Sequence, residues 1–135
     1  MCKHLFVCGT LRPAIVRGEF QSLIASLKQI GRGTTRGRLY DLGDYPGGVL
    51  DPDVETAVVG DLLELPDDDA VLATLDEYEG YFVDDLGRSL FVRRRCPVRL
   101  DDGREMESWM YVYNGDVSSA ILIPKGDYLL YKQER

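Results

Sequence analysis

Within Leu75-Asp76-Glu77-Tyr78-Glu79-Gly80-Tyr81, one carboxylate stands where helical spacing predicts little solvent. At about 100° per residue, Leu72, Leu75 and Glu79 share one helix face, whereas Glu77 points roughly the opposite way. A charge among apolar side chains is costly without a partner, so Glu79 needs either a chemical task or a counter-ion. Gly80 is a natural left-handed cap, which puts Glu79 at the C-terminal end of its helix. Burial and the unpaired carbonyls of that terminus both push a carboxyl pKa upward. A carboxyl raised towards neutrality can take a proton and return it, which is what general acid/base catalysis demands. The structural alternative is an ion pair with an arginine such as Arg93, or the cap of a turn.

A second chemical element lies at the start of the chain. Leu5-Phe6-Val7-Cys8 is a short apolar run ended by Gly9-Thr10-Leu11-Arg12-Pro13, which predicts a buried strand entering a tight turn. Once the chain turns, the backbone N–H groups of Gly9, Thr10 and Leu11 cannot all serve a ladder. They could form a nest for an anion or an oxyanion. Cys8 is a poor nucleophile candidate, because the one histidine, His4, lies about 13 Å away along a strand. Late in the chain, Trp109, Tyr111 and Tyr113 fall on one strand face by period two, as pocket or as core aromatics.

The elements that must position these groups are legible in outline. Phe20, Leu23, Ile24 and Leu27 follow helical spacing, predicting an amphipathic helix over 19–30 that stops at Gly31. Gly31-Arg32-Gly33-Thr34-Thr35-Arg36-Gly37 superficially suggests a phosphate loop. It follows a helix, precedes the strand-like Arg38-Leu39-Tyr40 and lacks the Walker lysine, so nucleotide binding there is rejected. Asp44-Tyr45-Pro46-Gly47-Gly48 predicts a turn and Val49-Leu50 a short strand; Asp51-Pro52-Asp53 reads as a proline turn in preference to a metal site. A strand is expected over 57–65, with Pro66-Asp67-Asp68-Asp69 opening the second helix, where acids suit the helix dipole. Extended segments follow over 89–95, 97–100 and 105–113, with Asp101-Asp102-Gly103 as a hairpin turn. The tail over 128–135 is polar enough to fray. The expected architecture is α+β: a single domain over 1–135 with a small mixed, strongly curved sheet or barrel flanked by two helices.

Composition narrows the function classes. With 135 residues, 44% hydrophobic and 29% charged, the chain can bury a real core in one domain. No apolar run approaches the roughly 18 residues of a membrane span, and the N-terminus is too short in its apolar part for a secretory signal. A cytoplasmic protein is the expectation. Cys2, Cys8 and Cys96 match neither a disulfide framework nor a zinc motif. The formal charge of -7 argues against nonspecific nucleic-acid binding, and Arg93-Arg94-Arg95 reads as an alternating strand face.

The motifs together resemble the gamma-glutamylcyclotransferase-like family, which includes gamma-glutamylamine cyclotransferases and plant avirulence-induced homologues. Phe6-Val7-Cys8-Gly9-Thr10-Leu11-Arg12 is similar to its first strand and Tyr-Gly-Ser/Thr loop. Gly37-Arg38-Leu39-Tyr40-Asp41-Leu42-Gly43 with Tyr45-Pro46 resembles its second strand and turn, and Val59-Gly60-Asp61-Leu62-Leu63-Glu64-Leu65 the strand before its catalytic helix. Leu75-Asp76-x-x-Glu79-Gly80 resembles the catalytic segment, and Trp109-Met110-Tyr111-Val112-Tyr113 the late core strand.

The resemblance implies a cyclotransfer without metal or cofactor, in which a γ-glutamyl α-amine attacks its own γ-carbonyl and 5-oxoproline and an amine are released. It implies Glu79 as proton shuttle, Gly9, Thr10 and Leu11 as backbone donors to substrate, and Tyr111 as a substrate contact. The implied partner is a small γ-glutamyl compound, with no nucleic acid and no membrane, the chain being a monomer or weak homodimer. Three departures bear on substrate choice: Cys8 replaces a tyrosine, Phe91-Val92-Arg93 stands where the family often has Tyr-x-Arg, and the 81–88 segment is longer than usual. A binding domain that keeps the pocket without turnover, and a hydrolase using Glu79 to activate water, are the rival functions.

Overall fold

The computed structural model describes residues 2–134. Its first strand, β1 (His4–Val7), is apolar because both its faces are covered. Leu5 and Val7 pack on one side with Leu11, Ile24, Leu63 and Leu75, while Phe6 points to the other, among Leu39, Val58, Leu62, Val98 and Met110. The remaining strands are β2 (Lys28–Asp41), β3 (Pro46–Leu50), β4 (Ala57–Glu64), β5 (Phe91–Leu100), β6 (Glu105–Tyr113) and β7 (Ile121–Ile123).

Strands run β2-β4-β1-β6-β5, and β5 returns to β2 through Gly33↔Leu100 and Thr34↔Arg99, closing a five-stranded barrel. Pairing is antiparallel except between β1 and β6, where Leu5 and Phe6 register with Trp109 and Met110. The C-terminal half of β2 leaves the barrel to pair with β3 and β7. The expected α+β architecture with a curved mixed sheet or barrel is observed, with three helices among the described residues where two were expected. They are α1 (Glu19–Ala25), α2 (Ala70–Tyr78) and α3 (Tyr128–Glu134).

Four local expectations are corrected. The first helix ends at Ala25 instead of Ile30, with the Ser26 hydroxyl donating to the Leu23 carbonyl at 2.6 Å. Lys28 and Gln29 are drawn into β2 by pairing with Glu64 and Leu63, so cross-strand bonding overrides helical periodicity. The glycine-rich segment is the interior of β2, and Gly33 sits where the barrel closes. Pro46, Gly47 and Gly48 belong to β3 and are not a free turn. The tail forms a helix whose Tyr128 is buried and whose Tyr131 hydroxyl donates to Asp41 at 2.8 Å. The hairpin at Asp101-Asp102-Gly103 is as expected, with the Gly103 N–H donating to the Leu100 carbonyl at 2.9 Å.

Candidate active site

Glu79 is held by the way α2 ends. It is the last residue with helical backbone, and Gly80 follows at φ 68°, the left-handed conformation a side chain would strain. The Gly80 N–H donates to the Glu77 carbonyl at 3.2 Å and the Tyr81 N–H to the Asp76 carbonyl at 2.9 Å, the paired bonds of a Schellman closure. The chain then loops through a short 3-10 turn, and the Leu90 N–H returns to the Gly80 carbonyl at 3.0 Å. Leu75 beneath Glu79 is fully buried.

The glycine turn is held from below. Arg12 is 3% exposed, and its guanidinium donates to Asp61 on β4 at 2.8 Å and to Asp127 just before α3 at 3.0 Å. The Arg12 N–H closes the turn onto the Gly9 carbonyl at 3.0 Å. A Cβ on Gly9 would stand 2.8 Å from Pro46 Cγ, so the turn approaches β3 as closely as only glycine allows. Among the described residues, the three amides of Gly9, Thr10 and Leu11 donate to no protein acceptor.

Those amides and Glu79 border one cavity of about 210 Å³, together with Cys8, Tyr45, Tyr78, Leu90, Phe91 and Tyr111. Every site residue expected from the sequence, Gly9, Thr10, Leu11, Glu79 and Tyr111, therefore meets at one place. Burial pushes the Glu79 carboxyl from 4.5 up to about 7. Burial, and then the charge of Glu79, push the Cys8 thiol up to about 12, so it stays protonated and a poor nucleophile.

The expected ion pair between Glu79 and Arg93 is absent. Arg93 binds Asp76 instead, in a two-pronged contact with Nε at 2.9 Å and Nη2 at 3.1 Å. The Tyr111 hydroxyl donates to the same carboxylate at 2.7 Å, and burial followed by this bond raises its pKa. Tyr111 is thus both a cavity wall and a packed core residue, which joins the two alternatives its sequence position offered. Trp109 and Tyr113 are packing residues here: the Arg93 guanidinium lies 4.5 Å from the Trp109 ring centre, and Tyr113 packs edge-on against Phe91.

Asp76 and Arg12 escaped the sequence reading. Each had a faint signal: Asp76 precedes Glu79 by one helical turn, and Arg12 and Asp61 are opposite charges set in apolar runs. Asp51 serves a turn, accepting from the Asp53 N–H at 3.0 Å and from Arg38 at 3.3 Å.

A family model described as gamma-glutamyl cyclotransferase, AIG2-like, matches residues 5–130. The chain belongs to this family. A Methanocaldococcus jannaschii protein whose gamma-glutamylcyclotransferase name is itself provisional is 28% identical over 130 residues, covering 96% of this chain and 98% of that protein. Among solved structures, an aig2-like protein from Mus musculus superposes with a TM-score of 0.71 at 20% identity, covering 93% of this chain and 87% of that one. YkqA from Bacillus subtilis superposes with a TM-score of 0.72 at 24% identity over 99% of this chain, but the match spans only 42% of YkqA. The structural likenesses establish that this family member has the fold of its relatives. Among the described residues, no helix is long and apolar enough to cross a membrane.

Proposed function

We propose that the protein is a γ-glutamyl cyclotransferase that converts a small γ-glutamyl amine or peptide into 5-oxoproline and the free amine. The observation that carries this reading is one cavity bordered by both a carboxyl titrating near 7 and three unengaged backbone amides. Ionised Glu79 takes a proton from the substrate's α-ammonium, and the freed amine nitrogen attacks the γ-carbonyl carbon. The carbonyl oxygen becomes an oxyanion, which the Gly9, Thr10 and Leu11 amides are suited to receive; one such donor is worth about 3 kcal/mol in other enzymes. As the intermediate collapses, Glu79 returns its proton to the leaving nitrogen and the original amide bond breaks. The attacking nitrogen, positively charged once it has added, gives its second proton to the released amine, which departs as an ammonium; the carboxylate is regenerated, and atoms and charge balance without a co-reactant.

Incubation with a panel of γ-glutamyl amines and dipeptides is expected to release 5-oxoproline, and Glu79→Gln to lower kcat roughly 100-fold or more. Equal turnover by wild type and Glu79→Gln would refute the shuttle. A product heavier by one water would identify a hydrolase. A second reading draws on Cys8 and Phe91, two positions that depart from the family pattern and both border the cavity. Thermal stabilisation by γ-glutamyl compounds without product would favour a binding domain.

A further inference from the structure

Asp76 and Glu79 are one turn apart on the same helix, yet only Asp76 has a cation. Residues spaced i and i+3 hold their Cβ atoms about 5–6 Å apart, so a guanidinium bound to one is within reach of the other. Arg93 nevertheless gives both its Nε and its Nη2 to Asp76, and the Tyr111 hydroxyl donates to the same carboxylate. Arg93 and Tyr111 face each other across β5 and β6, so the three side chains tie the last turn of α2 to two adjacent strands of the barrel. The Asp76 backbone carbonyl meanwhile receives the Tyr81 N–H that closes the helix beyond Glu79.

We propose that Asp76 is a positioning residue for this site: by holding Arg93 and Tyr111 it fixes the end of α2 on the barrel and keeps the Arg93 guanidinium from pairing with Glu79. The proposal rests on Glu79 as the proton carrier and adds the device that keeps it a usable base. A carboxylate paired with arginine is a weak proton acceptor, because the positive charge favours its ionised form.

The other groups around Glu79 do not supply a competing charge. Cys8 at the end of β1 and Tyr111 on β6 are held protonated by burial. Tyr45 and Tyr78 line the cavity. Arg12 beneath the glycine turn is bound to Asp61 and Asp127, and Glu77 is exposed on the far side of α2. With Asp76 and Arg93 neutralising each other one helical turn away, burial is what raises the Glu79 pKa.

This predicts opposite displacements from two substitutions. Asp76→Asn frees the Arg93 charge, so the acidic limb of kcat/KM is expected to move down by about one pH unit or more, with kcat lowered about tenfold and KM changed less. Arg93→Gln leaves the Asp76 carboxylate uncompensated beside Glu79, so the limb is expected to move up by a similar amount. Arg93→Lys keeps the charge and is expected to restore the limb to near its wild-type position. A purely structural role would lower stability in all three proteins and leave the limb in place. If Asp76→Asn does not fold, the upward shift in Arg93→Gln and its reversal in Arg93→Lys carry the test alone.

An unmoved limb in Asp76→Asn and Arg93→Gln overturns the proposal. Should no γ-glutamyl compound be turned over, the proposed function fails, but the positioning role is still judged by stability. The pH at which each protein and its Glu79→Gln counterpart diverge in urea melts must then shift down in Asp76→Asn and up in Arg93→Gln. A fixed divergence point refutes it.

Discussion

Replacing Glu79 with glutamine should stabilise the protein, and by an amount that depends on pH in a calculable way. The folded carboxyl titrates near 7 and its reference value is 4.5, so the native state holds this proton more tightly than the unfolded chain does. Its contribution is fully present below the unfolded value and is lost as pH rises through the folded one. At 1.36 kcal/mol per pKa unit, the cost of ionising Glu79 in the fold grows from under about 1 kcal/mol at pH 5 to about 3 kcal/mol at pH 8. Glutamine has nearly the same shape and no such cost. The gap in unfolding free energy between Glu79→Gln and wild type should therefore widen by roughly 2–3 kcal/mol over that range, or roughly 5–10 °C in Tm for a domain of this size. Urea melts of both proteins at pH 5, 6, 7 and 8 measure it, and other titrating groups cancel in the difference. Parallel curves would refute the reasoning, because they would mean that Glu79 ionises in the fold as readily as in water.

Other outcomes follow from the same geometry. Arg12→Met should cost about 3 kcal/mol in urea unfolding, because it leaves Asp61 without its buried cation while Asp127 keeps the 3.4 Å contact from Arg32 and the Leu130 N–H at 3.3 Å. Gly80→Ala should cost about 1 kcal/mol or more in thermal melts, since alanine is strained at φ 68° and its Cβ would meet Leu90 Cβ at 3.3 Å. Native Cys8, with its thiol held near 12, should resist iodoacetamide at pH 8 over times that fully label the unfolded chain, as read by peptide mass.

The legible parts of the site were those set by local spacing. Leu75, Glu79 and Gly80 define a helix face and its cap within one turn, and the Asp101-Asp102-Gly103 turn needs no distant partner. The segment over 28–30 is ambiguous in sequence because Leu27 satisfies both patterns: it ends a helical series and is buried beside the start of β2. The choice between them is made by β4, some thirty residues away along the chain. The Asp76–Arg93 pair was hidden for the same reason, since the sequence offers Arg93 two carboxylates one turn apart. Only the approach of β5 and β6 to α2 decides between them, with Tyr111 joining Arg93 on Asp76. The buried role of Arg12 is not legible in its turn because its partners come from β4 and from just before α3.

β1 lies between β4 and β6, so the strand that launches the glycine turn has both its neighbours far downstream in the chain. During synthesis, residues 4–7 leave the ribosome long before residues 105–113 exist to flank them. Pairings of such separation close late and slowly compared with local ones. No N-terminal fragment that stops short of β6 can hold both the turn amides and Tyr111 against Glu79. On dilution from denaturant, recovery of ligand binding should therefore coincide with completion of the barrel, and not with the earlier appearance of helix.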